Sequence, residues 1–170
     1  MAEFMDVYDG NRLPTGKTRP RGDTQRDGEY FLVAMVLIFN TAGEMLIQQR
    51  QSHLGWYPDK WTMTAGGGVL AGETPAEAAS RELYEELGIT MSFEGVRPNF
   101  TMTQGTAFMD YFLVTADINL AELNVPNSEV AAVKWVGKSE LVDMSASDEA
   151  IVYNLRFLDF VFDGGRILVE

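Results

Sequence analysis

The stretch GGVLAGETPAEAASRELYEELGI, from Gly67 to Ile89, predicts a glycine-rich loop followed by a helix with well-marked ends. Thr74 as the N-cap and Glu77 three residues later form the pattern of a capping box, with a proline at the first helical position. Gly88 supplies the left-handed residue that commonly ends a helix. A helix is therefore expected over Pro75–Leu87.

This helix carries three glutamates where a helix should avoid them. At about 100° per residue, Glu82, Glu85 and Glu86 fall on one arc beside an apolar stripe. Like charges at i,i+4 cost roughly 0.2–0.5 kcal/mol, and acids near a helix C-terminus face the negative end of its dipole. A solvated charged face would instead intersperse lysines, and the helix has one basic residue, Arg81. Three converging carboxylates suit a hard divalent cation, Mg²⁺ or Mn²⁺.

The loop before the helix indicates ligand binding as well. Its glycines let the backbone turn tightly and approach a ligand closely, with N–H groups available for phosphate oxygens. They are Gly66, Gly67, Gly68 and Gly72. A glycine-rich loop alone is a weak signal, and the acidic helix after it gives it weight.

The remaining pattern predicts an α+β fold with a mixed sheet. The apolar run Tyr30–Phe39 reads as a buried central strand that forms a hairpin with the strand Glu44–Arg50. Further strands are expected near Trp61–Ala65, Val96–Gln104, Phe108–Ala116 and Ala131–Val136. A second helix is expected over Asp148–Phe162, with Ser147 as its N-cap. Strands interleaved with two helices predict a sheet covered on both faces.

Length and composition predict a single domain. The chain has 170 residues, 46% of them hydrophobic, which suffices for a packed core. Residues 1–28 read as an arm or edge with one short strand around Asp6–Tyr8, and residues 29–170 as the domain proper. Within residues 11–21 the arm has four basic residues and no acid: Arg12, Lys17, Arg19 and Arg21. They form either a solvated arm or a segment that faces phosphate or a second copy in a homodimer.

Charge and cysteine content exclude several classes of function. A net charge of −12 repels phosphate chains, so we expect no binding to long DNA or RNA. The absence of cysteine excludes disulfides, thiol nucleophiles and zinc–thiolate sites. The sequence begins without a signal-peptide pattern and its longest apolar run is too short for a bilayer, so a cytoplasmic protein without membrane contact is expected.

The stretch from Gly67 to Ile89 resembles the Nudix box, G-x5-E-x7-R-E-U-x-E-E-x-G-U, where U is apolar. Each fixed position is filled, by Gly67, Glu73, Arg81, Glu82, Glu85, Glu86 and Gly88. The resemblance implies an α/β/α sandwich and divalent-metal-dependent hydrolysis of a diphosphate bond in a small, nucleotide-type substrate. It further implies that the three glutamates and the carbonyl of Gly67 bind Mg²⁺ or Mn²⁺, and that Glu73 pairs with Arg81.

The resemblance leaves the general base and the phosphate contacts open. Glu86, Glu85 and Glu129 are candidates for the base, and Glu129 could also be an ordinary loop acid. Gly66 and Gly68 are expected near phosphate. Arg50 ends a strand that points toward the loop, so it is either a phosphate contact or a plain strand-end charge.

The stretch from Val7 to Met63 is also similar to isopentenyl-diphosphate isomerase, a Nudix relative. In that isomerase a catalytic cysteine and a metal-binding histidine stand where this chain has Gly66 and Gly68. The intact acidic motif therefore favours hydrolysis, and the shared portion implies common architecture. A third hypothesis is a Nudix-fold module that binds a nucleotide without hydrolysing it, although such modules usually lose box glutamates.

Overall fold

The computed structural model describes residues 3–23, 26–151 and 154–164. The strands are β1 (Phe4–Tyr8), β2 (Pro14–Pro20), β3 (Phe31–Phe39), β4 (Met45–Arg50), β5 (Trp61–Thr62), β6 (Ala65–Gly68), β7 (Phe100–Gln104), β8 (Ala107–Thr115) and β9 (Val130–Val136). The helices are α1 (Pro75–Leu87), α2 (Lys138–Ala146) and α3 (Leu155–Asp159), with a 3₁₀ turn at Leu120–Glu122 and a π-helical turn at Phe160–Gly164. Within these ranges, no helix is long and apolar enough to cross a membrane.

The central sheet is mixed, as the sequence predicts. Its strands follow the order β5-β4-β3-β8-β7, while β6 also pairs with β3 and β9 with β4. The pairing of β3 with β8 is parallel and the others are antiparallel. One row of paired positions runs Gly67, Ala34, Asp110, Thr101 across β6, β3, β8 and β7. The glycine loop therefore continues directly from a strand next to the buried centre of the sheet.

Two hydrophobic cores cover the two faces of this sheet, because β3 is apolar on both sides. Leu32, Ala34, Val36 and Ile38 pack in the core that contains the apolar stripe of α1. Leu37 and Phe39 pack in the opposite core, together with residues of α2, α3 and the turn after α3. The layers are helix, sheet, helix, which confirms the predicted α+β sandwich.

The predicted hairpin pairs only near its turn. Phe39 lies opposite Met45, but the rest of that edge of β3 pairs with β6, from Val33–Gly68 to Val36–Ala65. The central strand thus takes the glycine strand as its neighbour. The strand predicted over Val96–Gln104 begins only at Phe100, since Pro98 has no N–H to donate and the Asn99 side chain accepts a bond from Leu113 N at 2.8 Å.

The second helix is predicted wrongly in its first half. Ser147 is the C-cap of α2 rather than the N-cap of a helix, and Asp148 has a φ of 62°, which ends helical geometry. Ala150 and Trp61 form an isolated bridge, so this part of the chain is extended. Helical structure resumes at Leu155, while Val152 and Tyr153 lie outside the described residues.

The N-terminal segment forms two paired strands where the sequence suggests one. Phe4 lies opposite Pro20 and Tyr8 opposite Pro14, and Tyr8 also bridges to Tyr30 at the start of β3. Its basic residues have acidic partners: Arg19 and Lys17 pair with Glu29, Arg21 pairs with Glu3, and Arg12 pairs with the fully buried Asp110.

Candidate active site

The rigidity of α1 comes from both of its ends. The hydroxyl of Thr74 accepts a bond from Glu77 N at 3.2 Å, and the carboxylate of Glu77 accepts one from Thr74 N at 2.7 Å. At the other end Gly88 has a φ of 75° and donates to Tyr84 O at 2.8 Å. These caps hold the glutamates of the last turns in a constant register over the sheet.

Two of these glutamates are almost completely buried. Glu82 is 4% exposed and Glu86 5%, one helical turn apart. Glu86 Oε2 accepts bonds from Gln48 Nε2 at 2.8 Å and from Gly66 N at 3.0 Å. Burial, reinforced by the charge of Glu82, raises the pKa of Glu86 to about 8, although its two hydrogen bonds act in the opposite direction. Burial also raises the pKa of Glu82.

The glycines of the loop are required by this close packing. A Cβ on Gly67 would lie 2.2 Å from Glu82 Oε1. A Cβ on Gly66 would lie 2.4 Å from Met35 Sδ and 2.8 Å from Ala34 O. The carboxylate of Glu82 therefore lies where a side chain on Gly67 would be, and Met35 and the Ala34 carbonyl lie where a side chain on Gly66 would be.

Arg81 joins the loop to the helix. Its guanidinium donates to both carboxylate oxygens of Glu73, at 2.8 and 3.0 Å, and to Glu82 Oε1 at 2.7 Å. It also donates to Gly68 O at 3.0 Å and to Glu85 Oε2 at 3.2 Å. The pair that the resemblance implies is thus present, and the donors of Arg81 are engaged within the loop and helix.

The remaining candidates lie around the buried pair with different degrees of exposure. The side chain of Glu85 is 53% exposed and is turned to Arg81. Glu129 is exposed, and its carboxylate is near enough to Glu86 for its charge to contribute to the raised pKa of Glu86. Its backbone carbonyl accepts a bond from Gln51 N at 2.9 Å. Arg50 Nε donates to Trp56 O at 2.8 Å, so this arginine braces the loop that follows β4.

The donor set fits a hard divalent cation. In the described part of the chain, no three Asp, Glu or His side chains already converge as a metal centre. Glu82 and Glu86 are nevertheless placed together, and the burial and the repulsion by Glu82 that raise the pKa of Glu86 are what a cation would offset. Glu85 would join them by leaving Arg81. Carboxylates with a neighbouring backbone carbonyl are the ligands that Mg²⁺ and Mn²⁺ prefer.

The model of the NUDIX domain matches residues 29–155. This chain belongs to the Nudix family. An uncharacterised Nudix hydrolase of Listeria monocytogenes is 41% identical over 151 residues, which is 89% of each chain. The isopentenyl-diphosphate Delta-isomerase of Streptomyces coelicolor is 30% identical over 93% of this chain and 83% of its own. A crystal structure from Deinococcus radiodurans superimposes with a TM-score of 0.76 at 21% identity, over 95% of this chain and 99% of that one.

These similarities confirm the family and the sandwich fold expected from the sequence. They also place the chain among the Nudix hydrolases, which act on pyrophosphate bonds. The roles of the individual site residues rest on the geometry described above.

One residue beside the candidate site is missing from the expectations drawn from the sequence. Gln48, which is 3% exposed, donates to Glu86, but in the sequence it is one of two adjacent glutamines in a strand. The signal in the sequence is a polar residue that directly follows the apolar residues of β4.

Proposed function

We propose that this Nudix protein is a Mg²⁺- or Mn²⁺-dependent hydrolase that cleaves the diphosphate bond of a small, nucleotide-type substrate. The observation that carries the proposal is the buried pair Glu82 and Glu86, held against a glycine loop that leaves no room for a Cβ. Glu82, Glu85, Glu86 and the carbonyl of Gly67 would hold the cation. When bound, the cation would supply positive charge for the diphosphate oxygens and would lower the pKa of a water molecule.

The chain's own groups prepare this site. Arg81 holds the loop at a constant distance from α1 through Glu73 and the carbonyl of Gly68. Gln48 and the N–H of Gly66 orient the carboxylate of Glu86. Gly66 and Gly68 stay predicted to lie near phosphate, while Met35 and Met5 occupy the space that a side chain on either glycine would fill.

Glu129 is the base that we favour among the three candidates. Glu86 is buried with both bonds on one oxygen, and Glu85 is bonded to Arg81. Glu129 is exposed and lies within electrostatic reach of Glu86, so its carboxylate would be the group that accepts a proton from an attacking water.

The experiment is a hydrolysis screen in Mg²⁺ with Glu86→Gln as the blank. The panel contains ADP-ribose, NDP-sugars, dinucleoside polyphosphates, damaged nucleotides and prenyl diphosphates. Glu86→Gln keeps the size of the side chain and removes the charge, so turnover should fall by about 100-fold or more. Full activity in this variant would overturn the site.

The base is tested separately on any substrate that turns over. Glu129→Gln should lower kcat by about 100-fold to 10,000-fold and leave the Mg²⁺ concentration for half-activation unchanged. Glu94→Gln, which alters another exposed loop acid, serves as the control. Loss of activity through a changed Mg²⁺ requirement would make Glu129 a ligand instead.

Isomerisation is the second candidate, because isomerases are among the relatives. The structure weighs against it, since a side chain at Gly66 would collide with Met35 and with the Ala34 carbonyl. Turnover of isopentenyl diphosphate without release of phosphate would support it. Ligand binding without any product would support the non-catalytic module.

The size of the substrate, the cellular location, the oligomeric state and the domain division stay predictions. A net charge of −12 supports a small substrate over long nucleic acid. Cytoplasmic location, a homodimer and the division into an arm of residues 1–28 and a domain of residues 29–170 are further predictions from the sequence.

A further inference from the structure

The N-terminal hairpin, β1 with β2, lies along the glycine loop of the site. Phe4 O accepts a bond from Ala71 N, and Asp6 Oδ2 accepts one from Gly72 N, both at 2.8 Å. Met5 is packed so tightly that a Cβ on Gly68 would lie 2.8 Å from its Cε. The hairpin therefore covers the loop that the site uses.

Arg21 lies on the face of this hairpin that covers the glycine loop. Met5 lies opposite Arg19, so their side chains share one face, and Glu3 and Arg21 follow two residues further on each strand. Arg21 N donates to Glu3 O and its Nη1 to Glu3 Oε2, both at 2.8 Å. The guanidinium thus lies beyond the end of β2, on the side of the glycine loop.

The charges of two site carboxylates act on this guanidinium. Burial acts to lower the pKa of Arg21, yet the bond to Glu3 and the charges of Glu82 and Glu129 raise it above the ordinary value. Glu82 lies on α1 and Glu129 on the loop before β9, so the guanidinium of Arg21 lies within electrostatic reach of both carboxylates.

Arg21 also has bonding capacity that Arg81 lacks. Arg81 is 20% exposed and is bonded to three carboxylates and a carbonyl. Arg21 and Glu3 are each 47% exposed, and an exposed ion pair exchanges easily for a stronger partner. A phosphate is such a partner, because the guanidinium fork matches two of its oxygens.

We propose that Arg21 contacts the diphosphate of the substrate, exchanging its bond to Glu3 for a bond to a non-bridging phosphate oxygen. This rests on the proposed diphosphate hydrolysis. The N-terminal hairpin is then a wall of the active site, and Arg21 offsets phosphate charge opposite α1.

The test compares Arg21→Ala and Arg21→Lys with Lys17→Ala. Lys17 lies on the same hairpin, its side chain is 63% exposed, and its ion pair with Glu29 is long at 3.8 Å, so Lys17→Ala reports the loss of one charge alone. With a substrate from the screen, Arg21→Ala should raise KM by about 10-fold to 100-fold with a smaller change in kcat. Arg21→Lys should fall between, and Lys17→Ala should match the wild type. Thermal melting of each variant verifies the fold.

A second readout needs no turnover. Imidodiphosphate, whose NH bridge replaces the reactive oxygen, is titrated calorimetrically with Mg²⁺ into the wild type and the same variants. Binding weakened by about 10-fold in Arg21→Ala, and not in Lys17→Ala, supports the contact. Equal binding by Arg21→Ala and the wild type overturns it, even if the wild type hydrolyses diphosphates. A wild type that neither binds imidodiphosphate nor hydrolyses the panel overturns both proposals.

Discussion

Glu86 is an acid that the fold keeps out of water, and this has a consequence for stability. Its pKa rises from an ordinary 4.5 to about 8 in the folded chain without metal. Between these values the folded state binds a proton that the unfolded state has released. The contribution of Glu86 to the free energy of unfolding therefore decreases as pH rises from about 4.5 to about 8.

Replacing Glu86 by Gln should remove this pH dependence. One pKa unit corresponds to about 1.4 kcal/mol of free energy of unfolding. In EDTA, raising the pH from 5 to 8 should therefore destabilise the wild type by roughly 2–4 kcal/mol more than Glu86→Gln. Urea unfolding at both pH values measures it. If the free energies of unfolding of the two proteins changed equally between the two pH values, Glu86 would already be ionised in the metal-free fold. Adding Mg²⁺ should stabilise the wild type at pH 8 more than the variant.

Gly67 should be intolerant of a single methyl group. Gly67→Ala places a Cβ 2.2 Å from Glu82 Oε1, so the carboxylate must leave its place beside Arg81. We expect activity to fall by more than about 10-fold and stability by roughly 1–3 kcal/mol. Gly10→Ala is the control, since its Cβ would meet Tyr30 at 3.6 Å, an ordinary contact. Equal activity of Gly67→Ala and Gly10→Ala would mean that the position of Glu82 is not used.

At the scale of the element, α1 and the glycine loop act as one unit because one guanidinium joins them. Arg81→Lys keeps the charge and loses the fork, so a lysine cannot contact Glu73, Glu82 and Gly68 O together. The Mg²⁺ concentration for half-activation should rise by about 10-fold to 100-fold, as happens when groups that orient metal ligands are changed.

Arg19→Lys is the matched control for this change. Arg19 donates to both carboxylate oxygens of Glu29, at 3.2 and 3.0 Å, as Arg81 does to those of Glu73, but Arg19 lies in the N-terminal hairpin. Arg19→Lys should leave the Mg²⁺ concentration for half-activation as in the wild type. If both variants shifted that requirement equally, a general loss of stability would explain the result.

At the scale of the whole molecule, sequence patterns predict what is locally encoded. The capping box, the terminal glycine and the apolar stripe give α1 its bounds to the residue, and the continuous apolar run of β3 gives the centre of the sheet. Local signals fail where tertiary pairing decides. The glycine strand β6 pairs with β3 along most of the edge predicted for β4, and Asp148, with a φ of 62°, interrupts the helix predicted over Asp148–Phe162.

The N-terminal hairpin is the part that sequence reasoning could not place. One of its attachments is the pair of Arg12 with Asp110, two residues that are 98 positions apart in the chain. A charged residue inside a strand reads locally as surface, yet Asp110 is fully buried in β8. No spacing rule relates the two residues, so the anchor becomes visible only in the fold.

This anchor provides the last prediction. Arg12 and Thr101 both donate to Asp110, and Arg12 also lies 5.9 Å from the ring centre of Phe108. Arg12→Ala leaves a buried carboxylate without its cation and should cost about 3–5 kcal/mol in urea unfolding. In Arg12→Ala with Asp110→Asn, no buried charge is left unpaired, so the double variant should recover part of this loss. Additive losses would instead mean that Arg12 acts through packing. Because the hairpin carries Arg21 over the glycine loop, Arg12→Ala should also raise KM for the diphosphate substrate, although Arg12 lies at the opposite end of the hairpin.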